Sequence, residues 1–272
     1  MPSDPESTTA SIQRWKDGIL HPPSEDSLAI EEPLEIRVCG KNVAVTMRTP
    51  GYDDELAAGF LATEGLIRNR KDVIEIAHCK EGEAALLENT LNVFLAPNVK
   101  VDLELLTRHV FTSSSCGLCG KATIEAVHLD FPPVVSEVRV PPEIIMGLPE
   151  KLREAQATFE QTGGLHAAAI FDARGKLLVL REDIGRHNAV DKVVGFGFLN
   201  EVSFTECVLM VSGRASFEIV QKALAARISI VSAISAPSSL AADFANDSGQ
   251  TLIGFLREET MNVYAHAKRV ES

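Results

Sequence analysis

From Glu31 onward the chain alternates between blocks of two different hydrophobic periods. In EEPLEIRVCGKNVAVTMRTPG, apolar residues recur at every second position, Leu34, Ile36 and Val38 and then Val43, Val45 and Met47. Gly40-Lys41-Asn42 splits the two runs, and the pattern predicts a β-hairpin. DDELAAGFLATEGLI changes period: acids lead, and Leu56, Phe60 and Leu61 share one face, which predicts a helix. DVIEIAHC and TLNVFLA read as strands, and VDLELLTRHVF and KATIEAVHL as helices on either side of a serine- and cysteine-bearing loop. After the proline-rich break FPPVVSEVRVPP, a long helix PEIIMGLPEKLREAQATFEQTGG precedes a regular series. Strands LHAAAIFD and KLLVLRED, helix RHNAVDKVVGFGF, strand CVLMVSG, helix SFEIVQKALAA, strand ISIVSAIS, helix SSLAADFANDSG and strand TLIGFLRE follow in turn. The strands beyond residue 200 are apolar almost without interruption, as strands covered by helices on both faces are. The fold class expected is α/β: a tail at 1–28 rich in Pro, Ser and acids, a smaller α+β domain at 29–136, and a three-layer α/β/α domain at 137–272.

Composition narrows the function classes. The 272 residues carry 26 Lys and Arg against 38 Asp and Glu, a formal charge of −12, which opposes non-specific attraction to nucleic-acid phosphates. A small anion held by a few local arginines stays compatible with that charge. Five cysteines, an odd number, with no leader of secretory type, predict a reducing cytoplasmic setting. No apolar run approaches the length of about 20 residues that spans a bilayer, so no membrane partner is expected.

Three constellations carry candidate chemistry. In SSSCGLCGK, Cys116 and Cys119 are two residues apart among glycines. As a zinc site they supply at most two of four ligands, because Cys39, Cys79 and Cys207 fall at no ligand spacing. As a thioredoxin-like redox pair they lack the preceding strand. As a nucleophile, a cysteine beside Lys121 at a helix start gains thiolate character. In TGGLHAAAIFD, His166 is followed by Ala167 and Ala168 where a zinc deaminase has its proton-shuttling Glu, so a deaminase fold is compatible here but deaminase chemistry is not. In LREDIGRHNAVDKVVG, Glu182, Asp183, Arg186, His187, Asn188, Asp191 and Lys192 crowd the turn from a strand into a helix, where open α/β sheets bind ligands and helix N-termini favour anions. Ser212-Gly213-Arg214 repeats that arrangement after the next strand, and Arg257 follows the last one. Neither a Walker loop nor a dinucleotide-fold glycine turn is present. Several loops converging on one sheet edge point to a sizeable phosphate-bearing ligand.

Taken in order, EEPLEIRVCG, MRTPGYDDELAAGFLATEGLI, SSSCGLCGKATIE, TGGLHAAAIFD, REDIGRHNAVDKVVG, SGRASFEIVQKA, SAPSSLA and LIGFLREETMNVYAH resemble the formate dehydrogenase accessory sulfurtransferase family, FdhD. The resemblance covers nearly the whole chain after the tail. It implies a cytoplasmic homodimeric sulfur carrier with a cytidine-deaminase-like C-terminal domain. Such a carrier accepts persulfide sulfur from a cysteine desulfurase and passes it to molybdenum bis(molybdopterin guanine dinucleotide), the acceptor cofactor destined for formate dehydrogenase. Cys116 matches the family's persulfide-bearing cysteine and Cys119 its supporting thiol. The family's cofactor-binding stretch falls on Phe255, Leu256, Arg257, Glu258, Glu259 and Thr260. Family members often carry Gly and Arg where this chain has Glu258, Glu259 and Thr260, so Arg257 and Arg214 become the expected phosphate contacts, with Ser212, Gly213, His187, Asn188 and Asp183 around them. No resident metal is expected. The rival readings are a cofactor-docking chaperone without sulfur chemistry and a zinc deaminase.

Overall fold

Residues 7–29, most of the segment expected as an unpatterned tail, form a two-stranded arm instead. The structure is a computed structural model, and it describes residues 6–79, 89–99 and 127–271. In the arm, β1 (Ser7–Ile12) pairs antiparallel with β4 (Ser24–Ala29), and β2 (Trp15–Lys16) with β3 (Ile19–Leu20) at the tip. Asp17 and Gly18 both take positive φ, 53° and 78°, as the tight two-residue turn of a hairpin requires. That Asp-Gly pair is the local signal that outweighs the polar composition. At the base, Glu6 accepts from the Thr158 hydroxyl and its carbonyl from Ile30 N at 2.9 Å.

The predicted hairpin is present as β5 (Glu32–Val38) and β6 (Lys41–Arg48), joined by β7 (Val73–His78) and β8 (Thr90–Leu95) in a sheet of order β6-β5-β8-β7. Its alternation buries Leu34, Ile36, Leu91 and Val93 against α1 (Asp53–Thr63), the predicted helix. The stretch expected as one helix over 142–164 is broken into α2 (Pro142–Met146), α3 (Leu148–Ala155) and α4 (Ala157–Thr162). Pro149 cannot donate within a continuing helix and is tolerated only in a first turn, so a new helix starts at Leu148, after Gly147.

The larger sheet has order β10-β9-β11-β12-β13-β14. It comprises β9 (His166–Phe171), β10 (Leu177–Asp183), β11 (Val208–Val211), β12 (Ile230–Ala233), β13 (Thr251–Gly254) and β14 (Asn262–Ala265). The centre, β11-β12-β13, is parallel, and the flanking pairs are antiparallel. Crossover helices α5 (Arg186–Leu199), α6 (Phe217–Ala225) and α7 (Ser239–Asp247) occupy the predicted positions. Successive strand residues point into two separate buried clusters. Ala168, Ile170, Leu209 and Val211 pack under α5 and α6, while Ala169, Phe171, Val208 and Met210 pack with Ile145, Leu148 and Leu152 of α2 and α3. The proline-rich segment is extended and bound to this larger unit: Val134 N donates to Ser248 O, and Arg269 Nε to Ser136 O.

The two units meet where α1 crosses α5. Gly59 and Gly195 lie at the crossing, and a Cβ added at Gly59 would overlap the Asp191 carbonyl, as one at Gly195 would overlap the Glu55 carbonyl. Glycine inside a helix costs about 1 kcal/mol relative to alanine, so its presence in both helices is explained by this backbone approach. Among the described residues no helix is long and apolar enough to cross a membrane.

Candidate functional site

The register of the larger sheet brings five loop ends to one edge. His166, at the start of antiparallel β9, pairs with Asp183 at the end of β10, and β9 pairs with β11 so that Val211 faces Ala168. β12 ends beside β11, and β13 ends beside β12. An open α/β sheet presents its ligand site at such an edge, where helix N-termini and strand ends meet.

Not every polar residue predicted there faces outward. Asp183 is fully buried; it pairs with Lys192 at 2.7 Å and accepts from Gly185 N, Asn188 Nδ2 and Thr49 N. Asn188 also donates to Met47 O at 2.7 Å and accepts from the Thr46 hydroxyl, joining α5 to the end of β6. These two side chains fix the turn to the smaller unit. Ser212 Oγ accepts from Ala167 N at 2.9 Å, closing the β9–β11 edge. His187 Nε2 lies 2.9 Å from Glu218 and 3.2 Å from Ser216 Oγ, and its hydrogen bond holds the Glu218 carboxyl below its ordinary pKa against the effect of burial.

The cationic part of the edge is built from His166, Arg186, Gly213 and Arg214. Gly213 adjoins the His166 ring and the Arg186 side chain, with Nδ1 and Cδ 3.4 and 3.8 Å from where a Cβ would stand. Burial lowers the His166 pKa, and the charges of Arg186, His187 and Arg214 lower it further, with Asp183 acting in the opposite direction. The charges of Arg186 and Arg214 thus favour the neutral form of the imidazole. Arg186 Nε is buried with no hydrogen-bond partner, at the first turn of α5. A buried donor without an acceptor is costly, and an anion at this edge would satisfy it. His166 and Arg186 were both visible in the sequence motifs, but only the β9–β10 register and the α5 start put them on the same edge as Arg214.

The stretch 255–260 continues that edge. Phe255 takes φ 52° and is exposed, whereas Leu256 is buried in the core under α2 and α3. Arg257 closes a turn with Thr260 and returns its guanidinium to Ile234 O at the end of β12. Glu258, Glu259 and Thr260 are exposed. Cys116 and Cys119 lie outside the described residues. Among those described, no group of three or more His, Cys, Asp or Glu is placed to hold a metal ion.

A buried ion pair joins this edge to the helix crossing. Lys222 Nζ donates to both Asp191 oxygens at 2.9 Å and to Thr63 Oγ1 at 3.0 Å. Burial opposes the lysine charge, but Asp191 and Glu64 outweigh it and raise its pKa. Lys222→Met is expected to cost about 3–5 kcal/mol in urea unfolding because Asp191 is left charged and unpaired. Adding Asp191→Leu should recover much of that loss, and an additive double variant would refute the pairing argument.

A mixed sheet with helices packed on both faces, and arginines gathered at one loop edge, defines the chain as an α/β protein. The sequence profile of the FdhD/NarQ family matches residues 29–271, and the chain belongs to that family. It is 51% identical over 269 residues to the sulfur carrier protein FdhD of Streptomyces coelicolor, covering 95% of this chain and 94% of that one. It is likewise 51% identical over 253 residues to the protein of the same name from Mycobacterium tuberculosis, covering 90% and 92% of the two chains. Among solved structures it matches a protein described as a formate dehydrogenase accessory protein from Desulfotalea psychrophila. That match has a TM-score of 0.77 at 26% identity, covering 98% of this chain and 100% of the other.

Proposed function

We propose that this protein is a cytoplasmic, homodimeric sulfur carrier for formate dehydrogenase maturation. It receives sulfur on Cys116 from a cysteine desulfurase and delivers it to molybdenum bis(molybdopterin guanine dinucleotide). The names of its relatives support the carrier role, and the helix-covered mixed sheet supports a deaminase-like origin for the larger unit. The observation that carries the acceptor side is the unpartnered Arg186 Nε beside His166 and Arg214, a cationic edge suited to nucleotide phosphate. Arg257 extends it, and the exposed Glu258 and Glu259 are free to turn toward solvent.

The transfer balances without an external oxidant in its first step. The Cys116 thiolate attacks the terminal sulfur of the desulfurase persulfide, that S–S bond breaks, and the desulfurase leaves as its own thiolate. At the acceptor, the Cys119 thiolate attacks the inner Cys116 sulfur and releases hydrosulfide to the cofactor. A Cys116–Cys119 disulfide remains, which a cellular dithiol reduces before the next cycle. Incubation with a cysteine desulfurase and cysteine should add one sulfur, about 32 Da by intact mass, for the persulfide rung of cysteine chemistry. Normal activation of formate dehydrogenase by a protein that never gains this mass would favour the docking-chaperone reading instead.

A further inference from the structure

The arm ends in an apolar tip that none of the other described residues covers. Trp15 is 69% exposed, and Ile19 and Leu20 beside it are exposed as well. A two-stranded ribbon alone is at best marginally stable in water, and this one reaches roughly 25–30 Å from its base by strand rise. Arg14 and Lys16 flank the tryptophan and are exposed. The tip is therefore an aromatic anchor between two cations.

A matching cleft lies between the units. It has a volume of about 240 Å³, with Ile36, Ala44, Leu56 and Phe60 forming an apolar floor. Glu64 and Glu218 line it, with Asp191 and Lys222 deeper. Three carboxylates against Lys222 and His187 leave the cleft net negative, opposite in sign to the tip. The volume accommodates an indole ring, and aromatic anchors in desolvated pockets dominate the energy of protein interfaces.

We infer that the arm of one copy inserts Trp15 into the cleft between the two units of a second copy, with Arg14 and Lys16 against the acidic rim. Two-fold symmetry makes the exchange reciprocal and closed, so each chain gives one arm and receives one. The inference rests on the homodimer named above and specifies how that homodimer is held. It also places the partner's arm beside His187 and Glu218, at the border of the anion-binding edge.

Trp15 is the only tryptophan, so its emission reports the tip alone. In a dilution series followed by sedimentation velocity and fluorescence, association should move the emission to shorter wavelength. Trp15→Ala should weaken self-association by about 30-fold, the loss of an interface hot spot, with an unchanged circular dichroism spectrum. Arg14→Glu with Lys16→Glu should weaken it too, and mixing that variant with a chain carrying Glu64→Lys and Gln221→Lys, both on the lining of the cleft, should restore association. A dimer of unchanged affinity in Trp15→Ala, together with wild-type emission that does not move across the dilution series, would overturn the arm exchange while leaving the homodimer standing. A chain that is monomeric at every concentration would overturn both.

Discussion

Gly195→Ala is expected to lose at least about 3 kcal/mol of stability in urea unfolding, although alanine is the better helix former by about 1 kcal/mol. The new methyl would overlap the Glu55 carbonyl, a backbone atom that no rotamer change can move. Relief requires α1 and α5 to separate. Separation stretches the bonds that cross the junction, namely Thr63 to Asp191 at 3.0 Å and the Arg181–Glu55 fork at 2.6 and 2.8 Å. Buried polar groups pulled apart without access to water lose more than the contact itself. Gly59→Ala should show a loss of similar size from its overlap with the Asp191 carbonyl. The double variant should cost much less than the sum, because helices already forced apart accommodate the second methyl. Additive losses, or a stabilised Gly195→Ala, would show that the crossing is looser than described.

Cys116→Ala is expected to abolish the desulfurase-dependent mass gain and to reduce formate dehydrogenase activation roughly a hundredfold or more, the scale on which covalent nucleophiles matter. Cys207 and Cys39 make poor substitutes for different reasons. Burial pushes the Cys207 thiol up to about 11, with Asp172 and Glu206 adding to the effect, so it carries almost no thiolate at neutral pH. Cys39 is exposed in the β5–β6 turn, where a desulfurase could load it without delivering sulfur to the cationic edge. Cys39→Ser should therefore be carried as a background in the mass assay. Cys119→Ala should still gain sulfur but release it slowly, because the attack that expels hydrosulfide is lost. Sulfur retained in Cys116→Ala with Cys39 removed would move the carrier site elsewhere.

Local pattern made most of the elements legible. The alternation at Leu34, Ile36 and Val38, the helix of α1 and the apolar runs of β11, β12 and β13 all stand where the sequence places them, because each buries a face that its own period defines. The single helix expected over 142–164 is three, because the apolar period runs on through the breaks at Gly147-Leu148-Pro149 and at Gln156. The arm runs against the polar composition of its segment because the Asp17-Gly18 turn sets the hairpin locally.

The candidate site divides along the same line. The sequence by itself determined that charged residues crowd the β10–α5 turn, that Ser212-Gly213-Arg214 follows an apolar strand, and which cysteines form the C-x-x-C pair. Those are properties of neighbours along the chain. Only the tertiary structure decided that Asp183 and Asn188 turn inward to Lys192, Thr49 and Met47 while His166, Arg186 and Arg214 share an open cationic edge. A side chain's polarity fixes that it needs a partner. Which partner it finds is set by strand register and helix crossing, through contacts between residues more than a hundred positions apart, and no local period encodes those.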